Sequence, residues 1–91
     1  MYYDNGDVQI HRTARRHGVS DEGIVHAVER ALVVVDMDPD DDPPKVLVIG
    51  PDLAGNLLEV IMIELAEQRM LAIHAMPLRP AFFSLLTDGD S

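Results

Sequence analysis

Cysteine and tryptophan are both absent from this chain of 91 residues. Without cysteine there is no disulfide framework and no thiolate metal site. Aromatic residues are few, two Tyr and two Phe. No apolar run reaches the length of a membrane span, and no basic-then-apolar segment opens the chain. A cytoplasmic protein with no membrane contact is the expectation. Basic residues are also scarce, with seven Lys or Arg against sixteen Asp or Glu and a net charge of −9. That deficit is local. Asp36, Asp38, Asp40, Asp41 and Asp42 crowd one stretch, and Asp4, Asp7, Asp88 and Asp90 lie near the termini. Setting those nine aside leaves seven acidic residues against seven basic ones. The charge weakens long-range attraction to nucleic acid but leaves room for a small basic site.

What the chain does have is apolar runs. Apolar residues make up 47% of it, which excludes a disordered chain. Residues 45–76 hold three strand-length runs: Val46 to Ile49, Leu57 to Leu65 and Met70 to Met76. Turn or solvent residues separate them, at Pro51 to Gly55 and at Ala66 to Arg69. Connections this short cannot form a parallel crossover, so the pattern predicts an antiparallel meander. Leu32 to Val35 is β-branched and supplies a further strand ahead of it.

The flanks read as helices. Ser20 is a good N-cap, with Asp21 and Glu22 in the first turn and apolar residues at helical spacing behind them. This predicts a helix from about Asp21 to Ala31. A shorter helix is expected from about Ile10 to His17, ended by Gly18. Pro80 can open a closing helix, roughly Arg79 to Leu86, whose Phe82, Phe83, Leu85 and Leu86 pack back on the sheet. The expected fold is α+β: two N-terminal helices, a four-stranded antiparallel sheet and a C-terminal helix. It forms a single domain with an ordered core over about 10–86 and tails at 1–9 and 87–91. Residues of both parities in the middle strands are apolar, so both sheet faces need cover. A partner, either a second copy or another protein, is therefore expected.

Several stretches invite chemistry. The Asp36–Asp42 run lacks the calcium-loop spacing with its central glycine and closing glutamate, and Pro39 stiffens it. It reads as a solvated connection, and no metal or cofactor is assigned. Gly50 to Gly55 lacks the lysine and following helix of a phosphate loop, so it reads as a hairpin. Arg12, Arg15, Arg16 and His17 form the one basic cluster. It is a solvated face, or a partner of the acidic loop, or a phosphate-binding stripe that Arg79 could close upon. His74 stands among apolar neighbours. It is either a half-buried histidine bonded to the backbone or a general acid or base. Its surroundings depend on register. If paired residue numbers sum to 135, His74 faces Ile61 and lies near Glu59; a slip of one puts it on the face of Glu64.

Arg16-His17-Gly18-Val19-Ser20, followed by an acidic-capped helix, resembles the K/R-H-G-V-S opening of BrnT-type toxins. Val48-Ile49-Gly50, Leu57-Leu58-Glu59-Val60 and Ile73-His74-Ala75-Met76 fall where that family has its IG, LL-V-V and I-S-A-R runs. The resemblance covers roughly residues 10–83. It implies a RelE-like fold and the toxin of a type II toxin–antitoxin pair: a ribonuclease neutralised by a DNA-binding ribbon-helix-helix antitoxin. Such ribonucleases commonly need no metal. The resemblance points to Arg16 and His17 as catalytic residues, and beyond them to His74 and Arg79, with RNA as substrate. Arg12 and Arg15 are the phosphate-binding candidates. Met76 stands where the family has an arginine, and Phe82 and Phe83 stand where it has basic residues. A noncatalytic interaction module on the same fold is the alternative.

Overall fold

The computed structural model of the chain describes residues 8–38 and 40–87. Most of the expected tails, residues 1–7 and 88–91, and Pro39 lie outside the described residues. The strands are β1 (Val8–Ile10), β2 (Val33–Asp36), β3 (Lys45–Pro51), β4 (Leu57–Glu64) and β5 (Met70–Pro77). The helices are α1 (Asp21–Glu29) and α2 (Ser84–Thr87). One sheet runs β1-β5-β4-β3-β2.

The α+β class and the meander match expectation, and the sheet differs in one strand. It has five strands and is mixed, because β1 pairs parallel with β5, Val8 opposite Met70 and Ile10 opposite Ala72. Val8 and Gln9, expected in a tail, are therefore edge residues. Three residues carry too little periodicity to announce a strand.

The expected helix over Ile10 to His17 is a single 3-10 turn, Arg12–Arg15, with His11 as its cap. Only Ala14 in it is buried. One small apolar residue cannot pin a helical face, and an isolated turn does not propagate on its own. The closing helix likewise breaks in two: a 3-10 turn over Pro80–Phe82, then the one-turn α2. Phe82 is half-buried, but Phe83 is 51% exposed and does not pack back as expected.

The main helix forms as its caps dictate. The Ser20 hydroxyl accepts the Gly23 N–H at 3.0 Å, and Asp21 and Glu22 sit in the first turn. Ile24, Ala27 and Val28 have no exposure. They meet Val46, Val48, Val60, Met62 and Ala72 in one core on that side of the sheet. Full burial of a side chain such as Ile24 stabilises by about 1.5–3 kcal/mol. Contact is close at Gly50, where an added Cβ would lie 2.0 Å from the Ala27 carbonyl oxygen.

The opposite face carries the other parity. Leu47, Ile49 and Glu59 are buried there, while Val33, Val35, Ile61 and Ile63 are half-buried. The chain itself thus covers the centre of the second face. The acidic connection after β2 is largely exposed at Asp38, Asp40 and Asp42. No helix among the described residues is long and apolar enough to cross a membrane.

Candidate functional site

Glu59 anchors the site. It stands mid-strand in β4 among apolar neighbours, and its side chain has no exposure to solvent. A carboxylate taken out of water needs charged or hydrogen-bonding partners. Arg79 supplies most of them: Nη2 donates to Oε2 at 2.7 Å, Nε to Oε1 at 3.0 Å and to Oε2 at 3.1 Å. The Arg79 backbone N–H adds a bond to Oε1 at 3.0 Å. His74 Nε2 lies 3.0 Å from Oε2. Burial pushes the Glu59 carboxyl up, but the bonds from Arg79 and His74 outweigh it and hold it below the usual carboxylate range. The same contact raises the Arg79 guanidinium. An ionised carboxylate only accepts, so His74 Nε2 carries the hydrogen and Nδ1 is left for another partner.

A β-bulge brings His74 to Glu59. From Leu58 to Ile61 the paired numbers sum to 135, with Ile61 opposite His74. From Met62 onward the register shifts, with Met62 opposite Ala72, and Ile73 has no partner on β4. Both registers weighed from the sequence are therefore used, one on each side of the bulge. Before it, Met70 and Ala72 face the core under α1; after it, Ala75 does, and His74 turns to the other face. Regular alternation from Ala72 would have driven His74 into the apolar core. The bulge is held from outside: Thr13 Oγ1 donates to the Ile73 carbonyl at 2.7 Å, and His11 N–H donates to Ala72 O at 2.9 Å.

That tether also delivers His17. The 3-10 turn lies along β5, and the chain leaves it through Gly18, whose φ of +78° suits glycine. The exposed His17 ring meets His74 with centroids 5.6 Å apart and planes at 73°. His17, His74, Glu59 and Arg79 thus form one contiguous cluster at the end of β5. Arg79 stands half-exposed, its guanidinium 5.5 Å from the Phe82 ring centroid.

The basic cluster is dispersed by comparison. Arg15 is tied to Asp21 by two bonds of 2.8 Å, a pair exposed on both sides. Its partner is the first residue of α1, not the acidic loop. The side chains of Arg12 and Arg16 are exposed and make no hydrogen bond with a described residue; the Arg16 backbone N–H closes the turn on Thr13 O at 3.3 Å. Among the described residues Arg12, Arg15 and Arg16 form no α-helical stripe, because the segment that would carry it is one 3-10 turn, Arg12–Arg15. Among the described residues, no three His, Asp or Glu side chains are grouped to hold a metal ion.

No protein-family model matches the chain, and no curated protein or solved structure does either.

A cavity of about 600 Å³ adjoins the cluster. His17 forms part of its wall, facing Val19 and Ser20 ahead of α1, Asp52 and Asn56 in the β3–β4 turn, and Pro77 at the end of β5. The volume falls in the range of small-ligand clefts, roughly 300–1,000 Å³. Glu59, Asp52 and Asn56 were not among the residues expected at a site. Glu59 left a readable sign: one carboxylate inside the run Leu57 to Ile63 must be buried, and a buried charge demands a partner. Asp52 and Asn56 left none, because turn residues of these types occur wherever a hairpin closes.

Chemically, the cluster offers two imidazoles, one of them oriented by a buried carboxylate, and a guanidinium at its edge. Imidazole is the side chain suited to exchanging protons near neutrality. A carboxylate that fixes a histidine's tautomer is a recurring arrangement in acid–base catalysis.

Proposed function

We propose that the chain is a metal-independent endoribonuclease of the toxin kind, with a RelE-like arrangement, acting in the cytoplasm. The observation that carries this reading is the His17–His74 contact, made between residues far apart in sequence and backed by Glu59 and Arg79. The resemblance of residues 16–20 to the BrnT opening supports it. In this reaction the ribose 2′-oxygen attacks phosphorus and the bond from phosphorus to O5′ breaks. The products are a 2′,3′-cyclic phosphate and a 5′-hydroxyl end. One imidazole takes the 2′-hydroxyl proton and the other donates a proton to O5′. The exposed Arg16, with the Arg79 N–H groups that Glu59 leaves free, stabilises charge on the nonbridging oxygens. Glu59 touches no substrate and acts as a positioning residue. A ribbon-helix-helix antitoxin would silence the enzyme by laying an acidic segment over Arg12 and Arg16; self-association is the alternative.

A second reading has its own support. Arg79 is already engaged by Glu59 and Arg15 by Asp21, so the cluster could serve as a clasp in a noncatalytic interaction module. Expression of the chain alone in bacteria separates the two. Growth arrest with loss of mRNA, abolished by His17→Ala or Arg16→Ala in a folded protein, supports the ribonuclease. Cleavage should persist in EDTA. Healthy growth at high expression supports the module.

A further inference from the structure

The cavity next to His17 has a mixed apolar and polar lining. Val19, Leu53, Leu58 and Pro77 supply apolar wall, and His17, Ser20, Asp52 and Asn56 supply polar groups, of which the Ser20 hydroxyl already accepts the Gly23 N–H. Asp52 is not spent. Its Oδ1 accepts the N–H groups of Ala54 at 2.9 Å and Asn56 at 2.8 Å. Its Oδ2 has only a long 3.4 Å contact with Asn56 Nδ2 among the described residues. Burial pushes this carboxyl up, but the bonds from Asn56, Ala54 and Gly55 prevail and keep it below the usual range. It is therefore an acceptor at neutral pH. The turn that carries it is closed by Asp52 N–H to Asn56 O at 2.8 Å and Gly55 N–H to Asp52 O at 3.0 Å, so the acceptor is held in place.

We propose that this cavity is a nucleobase subsite and that the base it takes is guanine. Apolar walls suit a ring face, and a fixed carboxylate suits an edge that carries donors. Among the four RNA bases, guanine alone presents two adjacent donors, N1–H and N2–H, on its pairing edge. Uracil offers one N–H between two carbonyl oxygens, which a carboxylate repels. Adenine and cytosine set a ring acceptor beside their amino group, and that acceptor also opposes a carboxylate. The Asn56 amide, beside Asp52, can donate to guanine O6. A base seated here places its own phosphate next to His17. The placement beside a scissile phosphate rests on the ribonuclease reading; base binding does not.

The test titrates the full chain with the 5′-monophosphates of guanosine, adenosine, cytidine and uridine, followed by amide chemical shifts. Guanosine monophosphate should saturate shifts at Gly18, Gly23 and Asn56, at least about tenfold tighter than the other three. Asp52→Asn keeps Oδ1 for the turn amides and replaces the acceptor at Oδ2 with a donor. It should lower guanosine monophosphate affinity about tenfold while the remaining spectrum stays folded. Equal shifts with all four nucleotides, the same shifts with inorganic phosphate alone, or undiminished binding by Asp52→Asn would overturn the inference. Guanine-selective binding without RNA cleavage would support the subsite and count against the nuclease. Cleavage without guanine binding would overturn the subsite and leave the nuclease standing.

Discussion

Gly50→Ala tests how tightly α1 is pressed onto the sheet. Gly50 lies on β3 opposite Leu58, and its missing Cβ would sit 2.0 Å from Ala27 O and 2.8 Å from Ala27 C. Comfortable carbon–oxygen contact is about 3.3 Å, so the helix must retreat by about 1.3 Å. Both obstructing atoms are backbone, so no rotamer change relieves them. The retreat loosens Ile24, Ala27 and Val28, each fully buried. A gap of 0.5–1 Å already forfeits about a quarter to a half of each dispersion well. Overpacking usually costs about 1–3 kcal/mol; a displacement of the whole helix belongs at the upper end, about 3 kcal/mol. A domain of this size holds roughly 5–14 kcal/mol in all. The melting temperature should fall by about 12–24 °C, and the urea midpoint should drop with an unchanged m-value. Gly55→Ala is the control: it enters open space and pays only for its φ of +88°, about 1–2 kcal/mol. If Gly50→Ala costs less than Gly55→Ala, α1 does not bear on β3 as described and the packing argument is wrong.

Two further outcomes are expected. Glu67 and Gln68 in the β4–β5 turn both have positive φ, 63° and 64°, so Glu67→Asn with Gln68→Gly should stabilise by about 1–2 kcal/mol in a urea titration; an unchanged or lower midpoint would contradict the left-handed turn. Glu59 has a folded pKa below its ordinary 4.5, so its stabilisation is present above pH 4.5 and is lost as pH falls through the lower folded value. Wild type should therefore exceed Glu59→Gln in melting temperature at pH 7, and the gap should close on acidification below about pH 4.5; a gap that widens in acid would show that Glu59 is not held ionised.

The sequence by itself determined the features that short-range forces settle. Ser20 with its acidic first turn set the start of α1, because a cap and a helical apolar stripe act within a few residues. The apolar runs and the turn between Gly50 and Gly55 set β3, β4 and their hairpin for the same reason. Clustered carboxylates kept the connection after β2 largely in solvent. The site was only half legible. Its histidines and Arg79 could be picked out by type, but not their assembly. Register at a bulge depends on what the strand buries on each side, and here Met70, Ala72 and Ala75 all had to reach the core while His74 could not. That choice exists only once α1, β4 and β5 are packed together. The parallel pairing of Val8–Ile10 with β5 likewise joins residues about sixty apart in the chain, through hydrogen bonds that leave no mark on local composition. Tertiary structure alone decided that this strand would end where Thr13 could hold the bulge, that His17 would meet His74, and that Glu59 would be the charge both His74 and Arg79 serve.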